Sequence, residues 1–307
     1  KWEETFQEQI LARYERLTRE VAAQQPDVIV WPETAVPALL GVHPEVTARL
    51  KRLAQELRVP LVVGAPMITE VPSAEFRVPS SHSHLSPLTS HLTNSAVLLD
   101  ADGIIVGRYD KLHLVPFGEF IPFEGVAPWL RDILPPIGDF VPGREATVFH
   151  LSPLTSHLSP SFSVLICFED TFPELARACV RRGARLLMTI TNDAWFGPTA
   201  AAYQHAQAST FRAVELGVPM IRAANTGWSG CMDGRGRWMQ SVRDAGGQEL
   251  FVEGVAVCDV APGSSPTLYA RWGDWFAWGC VLLGGCVIIL CFASHGHLRR
   301  SRGRTPR

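Results

Sequence analysis

The chain has 307 residues, 47% hydrophobic and 19% charged, with a formal net charge of -2. Length and apolar content suit one large domain or two modest ones with a full core, and the charge balance leaves no footprint for nucleic acid. Glycine and proline are frequent but dispersed, which excludes a disordered chain.

The sequence opens on Lys1-Trp2, without an initiator Met or a visible signal peptide, and reads as part of a longer protein. Residues 5–25 place apolar positions at helical spacing among many charges, which predicts an amphipathic surface helix ended by Pro26. DVIVWPET then predicts a short buried strand with Glu33 just past its end. Residues 44–58 predict a helix with Pro44 in its first turn, and LVVGAP (61–66) a strand. SAVLLDADGIIVGRYDK (95–111) predicts a hairpin turning at Asp102-Gly103 and leading to Lys111. SVLICFED (163–170) reads as a strand ending at Cys167, and 173–183 as a helix closed by Gly183. RLLMTITNDAWFG (185–197) reads as a strand running into a loop, 203–217 as a helix, and VPMIRAANTG and GVAVCDV as further strands. Helices alternating with apolar strands, plus a hairpin, predict a layered α/β architecture whose site gathers at strand ends.

WFAWGCVLLGGCVIILCFA (275–293) holds no charge and is long enough for a transmembrane helix, with Trp272, Trp275 and Trp278 gathered at one end. The tail 294–307 carries Arg299, Arg300, Arg302, Arg304 and Arg307 and no acid. The positive-inside rule places it in the cytoplasm and the preceding domain on the opposite, outer face.

The seven cysteines are Cys167, Cys179, Cys231, Cys258, Cys280, Cys286 and Cys291. They form no CxxC or zinc spacing, and their odd count does not predict a disulfide framework. HLSPLTSHL occurs at 84–92 and again at 150–158, in segments holding His82, His84, His91, His150 and His157. No acid or cysteine completes a ligand set there, so these read as loop insertions at a sheet edge rather than a metal site.

Most lone cysteines are inert core residues. Cys167 differs because two other strand ends finish in charged residues, Glu33 and Lys111. A thiol needs a base, which Glu33 offers, and a lysine beside an attacked carbonyl stabilises an oxyanion. Such a trio would support acyl transfer through a thioester.

Seven stretches carry a family resemblance: VIVWPETAVP, TNSAVLLDADG, GRYDKLHLVPFGEFIPF, VLICFEDTFPE, TNDAWFG, RAANTGWSG and PTLYARWGDWFAW. The chain resembles the nitrilase, or carbon-nitrogen hydrolase, superfamily and within it the apolipoprotein N-acyltransferase branch. VPFGEFIPF, TNDAWFG and PTLYARWGDW favour that branch over soluble amidases. The resemblance implies a four-layer α-β-β-α sandwich over 1–262, a linker at 263–274, a transmembrane helix at 275–293 and a basic cytoplasmic tail at 294–307. It implies Glu33 as general base, Lys111 as the triad lysine and Cys167 as nucleophile, supported by Glu119 and Glu169. Trp195 and Phe196 would line the substrate entrance. The implied donor is a membrane phospholipid and the acceptor the α-amine of a diacylglyceryl-cysteine on an apolipoprotein, at the bacterial inner membrane, with no metal or organic cofactor. A membrane-anchored amidase or nitrilase, or an inactive binding module, would share these residues.

Overall fold

The computed structural model describes residues 2–72, 88–122, 126, 129–133, 140–151, 161–264 and 266–302. In chain order the elements are α1 (Trp2–Ala22), β1 (Ile29–Val30), α2 (Pro44–Leu57), β2 (Leu61–Pro72), β3 (Leu88–Leu99), β4 (Ile105–Asp110), α3 (Leu130–Ile133), β5 (Phe149–His150) and β6 (Ser161–Ile166). They continue with α4 (Pro173–Arg181), β7 (Leu186–Asn192), α5 (Ala201–Leu216), β8 (Met220–Asn225), β9 (Gly230–Met232), β10 (Trp238–Ser241), α6 (Leu268–Trp272) and α7 (Trp275–Arg302). Pro44 and Pro173 stand in the first turns of α2 and α4, where a missing N–H costs nothing.

The strands form two sheets, ordered β1-β2-β3-β4 and β10-β9-β8-β7-β6-β5. Side-chain alternation sends each sheet's two faces into different cores. Leu61, Val63 and Ala65 of β2 pack with Leu11 of α1 and Leu50 and Leu53 of α2. Val62 of the same strand points the other way, into a core shared with Phe162, Val164 and Ile166 of β6 and Met188 and Ile190 of β7. Leu165 and Leu187 face a third core with Leu175 and Ala176 of α4 and Ala206 and Ala213 of α5. The order is therefore helix, sheet, sheet, helix, as expected. In the second sheet β6, β7 and β8 run parallel, and in the first β1 runs parallel to β2. The carboxyl ends of β1, β6 and β7 lead directly to Glu33, Cys167 and Asp193.

Four expectations need correction. The strand expected over SVLICFED stops at Ile166, and Cys167 opens a 3-10 turn to Thr171. GVAVCDV is not a strand; the segment makes no ladder with β1 and leaves a cleft of about 560 Å³ between itself, α1 and β8. One disulfide does form, Cys231–Cys258, fastening this segment to β9. The odd count concealed a single pair among free thiols. Finally, Leu88–Leu92 of the first repeat belong to β3 and pair with β2, so this part is strand rather than loop. His150 of the second copy lies in β5; His82, His84 and His157 lie outside the described residues.

α7 forms over the apolar run, with Leu282, Leu283 and Ile289 exposed. Among the described residues, however, no helix is long and apolar enough to cross a membrane.

Candidate active site

Glu33 follows β1 in the segment Trp31-Pro32-Glu33. Trp31 Nε1 donates to Thr18 Oγ1 at 2.9 Å, pinning that segment to α1. β2 passes close beneath: a Cβ on Gly64 would stand 2.3 Å from the Pro32 carbonyl oxygen, so only glycine permits this approach. The buried Glu33 carboxylate accepts from Asn94 Nδ2 at 2.7 Å and Lys111 Nζ at 3.4 Å on Oε1, and from the Asn192 N–H at 2.8 Å on Oε2. One carboxylate thus ties β1, β3, β4 and β7 together.

Lys111 comes just after β4 and is 1% exposed. Its Nζ lies 3.0 Å from the Glu119 carboxylate and 5.5 Å from the centre of the Phe168 ring. Glu119 is held in turn by Asn94 Nδ2 at 2.7 Å and by the Val115 N–H at 2.8 Å. Burial alone would lower the lysine, but the charges of Glu33 and Glu119 override it and hold Lys111 above its ordinary range. The ammonium carries three N–H donors and spends two on these acids.

Cys167 sits in the left-handed region, with φ 57. For a non-glycine residue that conformation costs about 1–3 kcal/mol and turns the side chain sharply out of the strand direction. Burial and then the Glu33 charge push its thiol up to about 12, against the pull of Lys111 and Thr191. At neutral pH it is therefore a thiol, and its proton must leave as the sulfur attacks. Lys111, Glu33 and Glu119 form one hydrogen-bonded group, and Cys167 feels the charges of the first two directly.

Glu169 faces away from this group. Its carboxylate accepts from the N–H groups of Ile166, Leu112 and His113 and from the Tyr109 hydroxyl, at 2.7 to 3.0 Å. It clamps the start of the Cys167 turn to the segment just after Lys111. Burial pushes it up to about 7, although the donors pull it down. Trp195 and Phe196 lie in the 3-10 turn Asp193–Phe196 that follows β7. Trp195 is 84% exposed, while the Phe196 ring meets His205 edge-on at 5.8 Å.

The structure adds residues to which no role had been assigned. Asn94 bridges the two acids that hold Lys111. Behind the Cys167 turn lies a buried cluster in which Arg222 donates to Asp170 at 2.7 Å and to Asp193 at 3.1 Å. His205 pairs with the same acids, Nδ1 with Asp193 at 2.9 Å and Nε2 with Asp170 at 3.1 Å. Burial opposes charge on His205, but the two aspartates raise it to about 9. Two carboxylates thus face two cations. A Cβ on Gly227 would stand 2.0 Å from Asp193 Oδ2, so the backbone there closes directly on the cluster. Asn94 and Asp193 fall inside the motifs TNSAVLLD and TNDAWFG, but their partners come from other elements.

Residues 3–253 match the family described as carbon-nitrogen hydrolase. The chain belongs to that family. Among its curated relatives, an apolipoprotein N-acyltransferase of Geobacter metallireducens is 42% identical over 293 residues, covering 95% of this chain and 51% of its own. Another, from Brucella melitensis, is 35% identical over 310 residues, covering 99% and 52%. The chain spans about half the length of these relatives. Among solved structures, an amidase from Nesterenkonia sp. AN1 superposes with a TM-score of 0.53 at 19% identity, over 77% of this chain and 80% of that one. That likeness speaks for the fold alone.

Proposed function

We propose that this chain is the catalytic part of a bacterial apolipoprotein N-acyltransferase, with Cys167 as nucleophile, Glu33 as general base and Lys111 as oxyanion donor. The observation that carries the reading is the buried group of Glu33, Asn94, Lys111 and Glu119 around the Cys167 turn, in a chain whose curated relatives bear that name.

Chemistry follows from the donors. The Cys167 sulfur attacks the acyl ester of a phospholipid while its proton passes to Glu33. Lys111, fixed by Glu119 and Glu33, directs its remaining N–H at the oxyanion. The tetrahedral intermediate collapses, the C–O bond breaks, and the proton on Glu33 leaves with the lysophospholipid. The α-amine of a diacylglyceryl-cysteine then attacks the thioester. Glu33 takes a proton from that amine and returns one to the departing sulfur, and the amide is released. Trp195 and Phe196 stand on the turn after β7 as apolar contacts for acyl chains. Glu169 acts by fixing the nucleophile turn.

In this reading residues 275–293 anchor the domain, with 294–307 on the cytoplasmic side. The uncharged run and the exposed apolar side chains of α7 support it, because such a surface is unfavourable in water. The Cys231–Cys258 disulfide supports the outer, oxidising face for the domain.

The test is transfer of a labelled acyl chain from phospholipid to a synthetic diacylglyceryl-cysteine peptide in detergent. Amide-linked label on the peptide's α-amine, lost in Cys167→Ala, supports the reading. Release of free fatty acid or hydrolysis of small amides, without peptide labelling, moves the chain to the amidase alternative.

A further inference from the structure

His205 is buried on α5 and plays no part in the mechanism above. Its ring nevertheless meets both turns that frame the site. Asp170 belongs to the turn Cys167–Thr171, which begins with the proposed nucleophile. Asp193 opens the turn Asp193–Phe196 and follows Asn192, whose N–H holds Glu33. His205 Nε2 lies 3.1 Å from Asp170 Oδ1, and Nδ1 lies 2.9 Å from Asp193 Oδ1. The ring also meets Phe196 edge-on at 5.8 Å. One side chain therefore spans the turn that carries the sulfur and the turn that carries Trp195 and Phe196.

The two ring nitrogens differ in what else they face. Among the described residues, neither Nε2 nor Asp170 Oδ1 has a hydrogen bond to any other group. A lone pair on Nε2 would face a carboxylate oxygen and leave both atoms without a donor, so this nitrogen keeps its proton. Nδ1 has an alternative, because Arg222 Nη2 stands 2.9 Å away on β8. With a proton, Nδ1 donates to Asp193; without one, it accepts from Arg222. The guanidinium charge beside Nδ1 further favours loss of the proton from that side. Asp193 then keeps Thr191 Oγ1 at 2.9 Å and Arg222 at 3.1 Å, so its turn loosens without stranding a carboxylate oxygen. Asp170 keeps Nε2, together with Ser209 Oγ at 2.6 Å and Arg222 at 2.7 Å.

We propose that His205 is a positioning residue of the site: protonated on both nitrogens it ties the Asp193–Phe196 turn to the Cys167 turn, and loss of the Nδ1 proton to solvent loosens the Asp193–Phe196 turn while the Cys167 turn stays held. No other bond is made or broken. The charged groups facing the ring are Asp170, Asp193 and Arg222. Arg212, on the same helix, reaches the Asp170 and Thr171 carbonyls instead, at 3.5 and 3.4 Å. Burial opposes charge on the ring, but the two aspartates outweigh it and raise the group to about 9, so the loosening sets in as pH rises through that value. The inference rests on the proposed roles of Cys167, Trp195 and Phe196, and its test needs no lipid.

The experiment is fluorine NMR of the detergent-solubilised full chain carrying fluorotryptophan, titrated from about pH 7 to about pH 10.5 around the expected midpoint, with the Trp195 signal assigned through Trp195→Phe. Trp195 is the reporter because Phe196 lies against the ring and would sense its charge directly. The Trp195 signal of the parent is expected to shift with one midpoint near pH 9. The amide of His205→Gln offers one donor and one acceptor, as a neutral imidazole does, so its Trp195 signal is expected to stay near the parent's alkaline position at every pH. A parent signal that does not titrate overturns the proposal, and that outcome needs no variant. So does the same titration in His205→Gln with matching circular dichroism, which would place the proton on another group. A titrating Trp195 signal without acyl transfer from phospholipid leaves the coupling of the two turns standing and removes the acyltransferase reading. Acyl transfer with a Trp195 signal that does not titrate does the reverse.

Discussion

In the proposed reading Lys111 separates having a thiol from using it. Its ammonium is buried between two acids, and as the proposed oxyanion donor it would meet charge that exists only during reaction. Lys111→Ala is expected to leave Cys167 present but reduce acyl transfer by about 10²–10³, the usual loss for an oxyanion donor. Measured kcat with the sulfur still alkylatable checks this. His205 makes a second residue-scale prediction. Its folded value, about 9, lies above its ordinary 6.5, so its contribution to stability is complete below about 6.5 and is lost as pH rises through about 9. That contribution is about 3 kcal/mol. Denaturant melts of the parent between pH 6.5 and 10 should show this decline, and His205→Gln should be less stable at pH 6.5 and flatter over that range. At this scale the sequence singled out Glu33, Lys111 and Cys167 as charged or reactive residues just past strand ends, and the resemblance added Glu119; the structure brings Glu33, Lys111 and Glu119 into contact. Asn94, Thr191, His205 and Arg222 were not assigned, because each gains meaning only from partners on other elements. Arg222 sits in an apolar strand and His205 in a helix, and neither reveals locally that it shares a pair of aspartates.

At the scale of elements, the parallel ladders explain why the site forms where it does. β6 stops at Ile166, opposite Ile190, and β7 runs two residues further to Asn192, whose N–H reaches Glu33 beyond the other sheet. A layered α/β architecture was readable from strand and helix alternation and the Asp102-Gly103 turn from its residues, while the α-β-β-α order came from the family resemblance. The GVAVCDV segment misled because alternating apolar residues report burial of one face, not pairing of the backbone. Val255 and Val257 do pack against the first core, while the chain is held by Cys258. The disulfide closes a separation of 27 residues, and removing it through Cys231→Ser with Cys258→Ser is expected to cost about 3 kcal/mol. Thermal melts of the double variant against the parent, both without reductant, measure that loss.

For the whole molecule, the domain and α7 have opposite solvent demands. The sandwich buries its apolar strands in three cores, whereas α7 exposes Leu282, Leu283, Ile288 and Ile289. With α7 as the proposed anchor, Leu283→Arg is expected to weaken membrane association by about 3 kcal/mol while leaving the sandwich's melt unchanged. Flotation of the full chain with phospholipid vesicles compares the two. Tethering would raise the local concentration of lipid substrates without any new contact in the site.

The central claim is that Cys167 is a nucleophile that takes an acyl group from phospholipid. The most direct measurement is mass spectrometry of the detergent-solubilised chain after incubation with phospholipid. The account predicts a fatty acyl group on the Cys167 peptide, released by hydroxylamine and missing in Cys167→Ala. A folded chain that alkylates at Cys167 yet carries no such adduct, or carries it equally in Cys167→Ala, would contradict it.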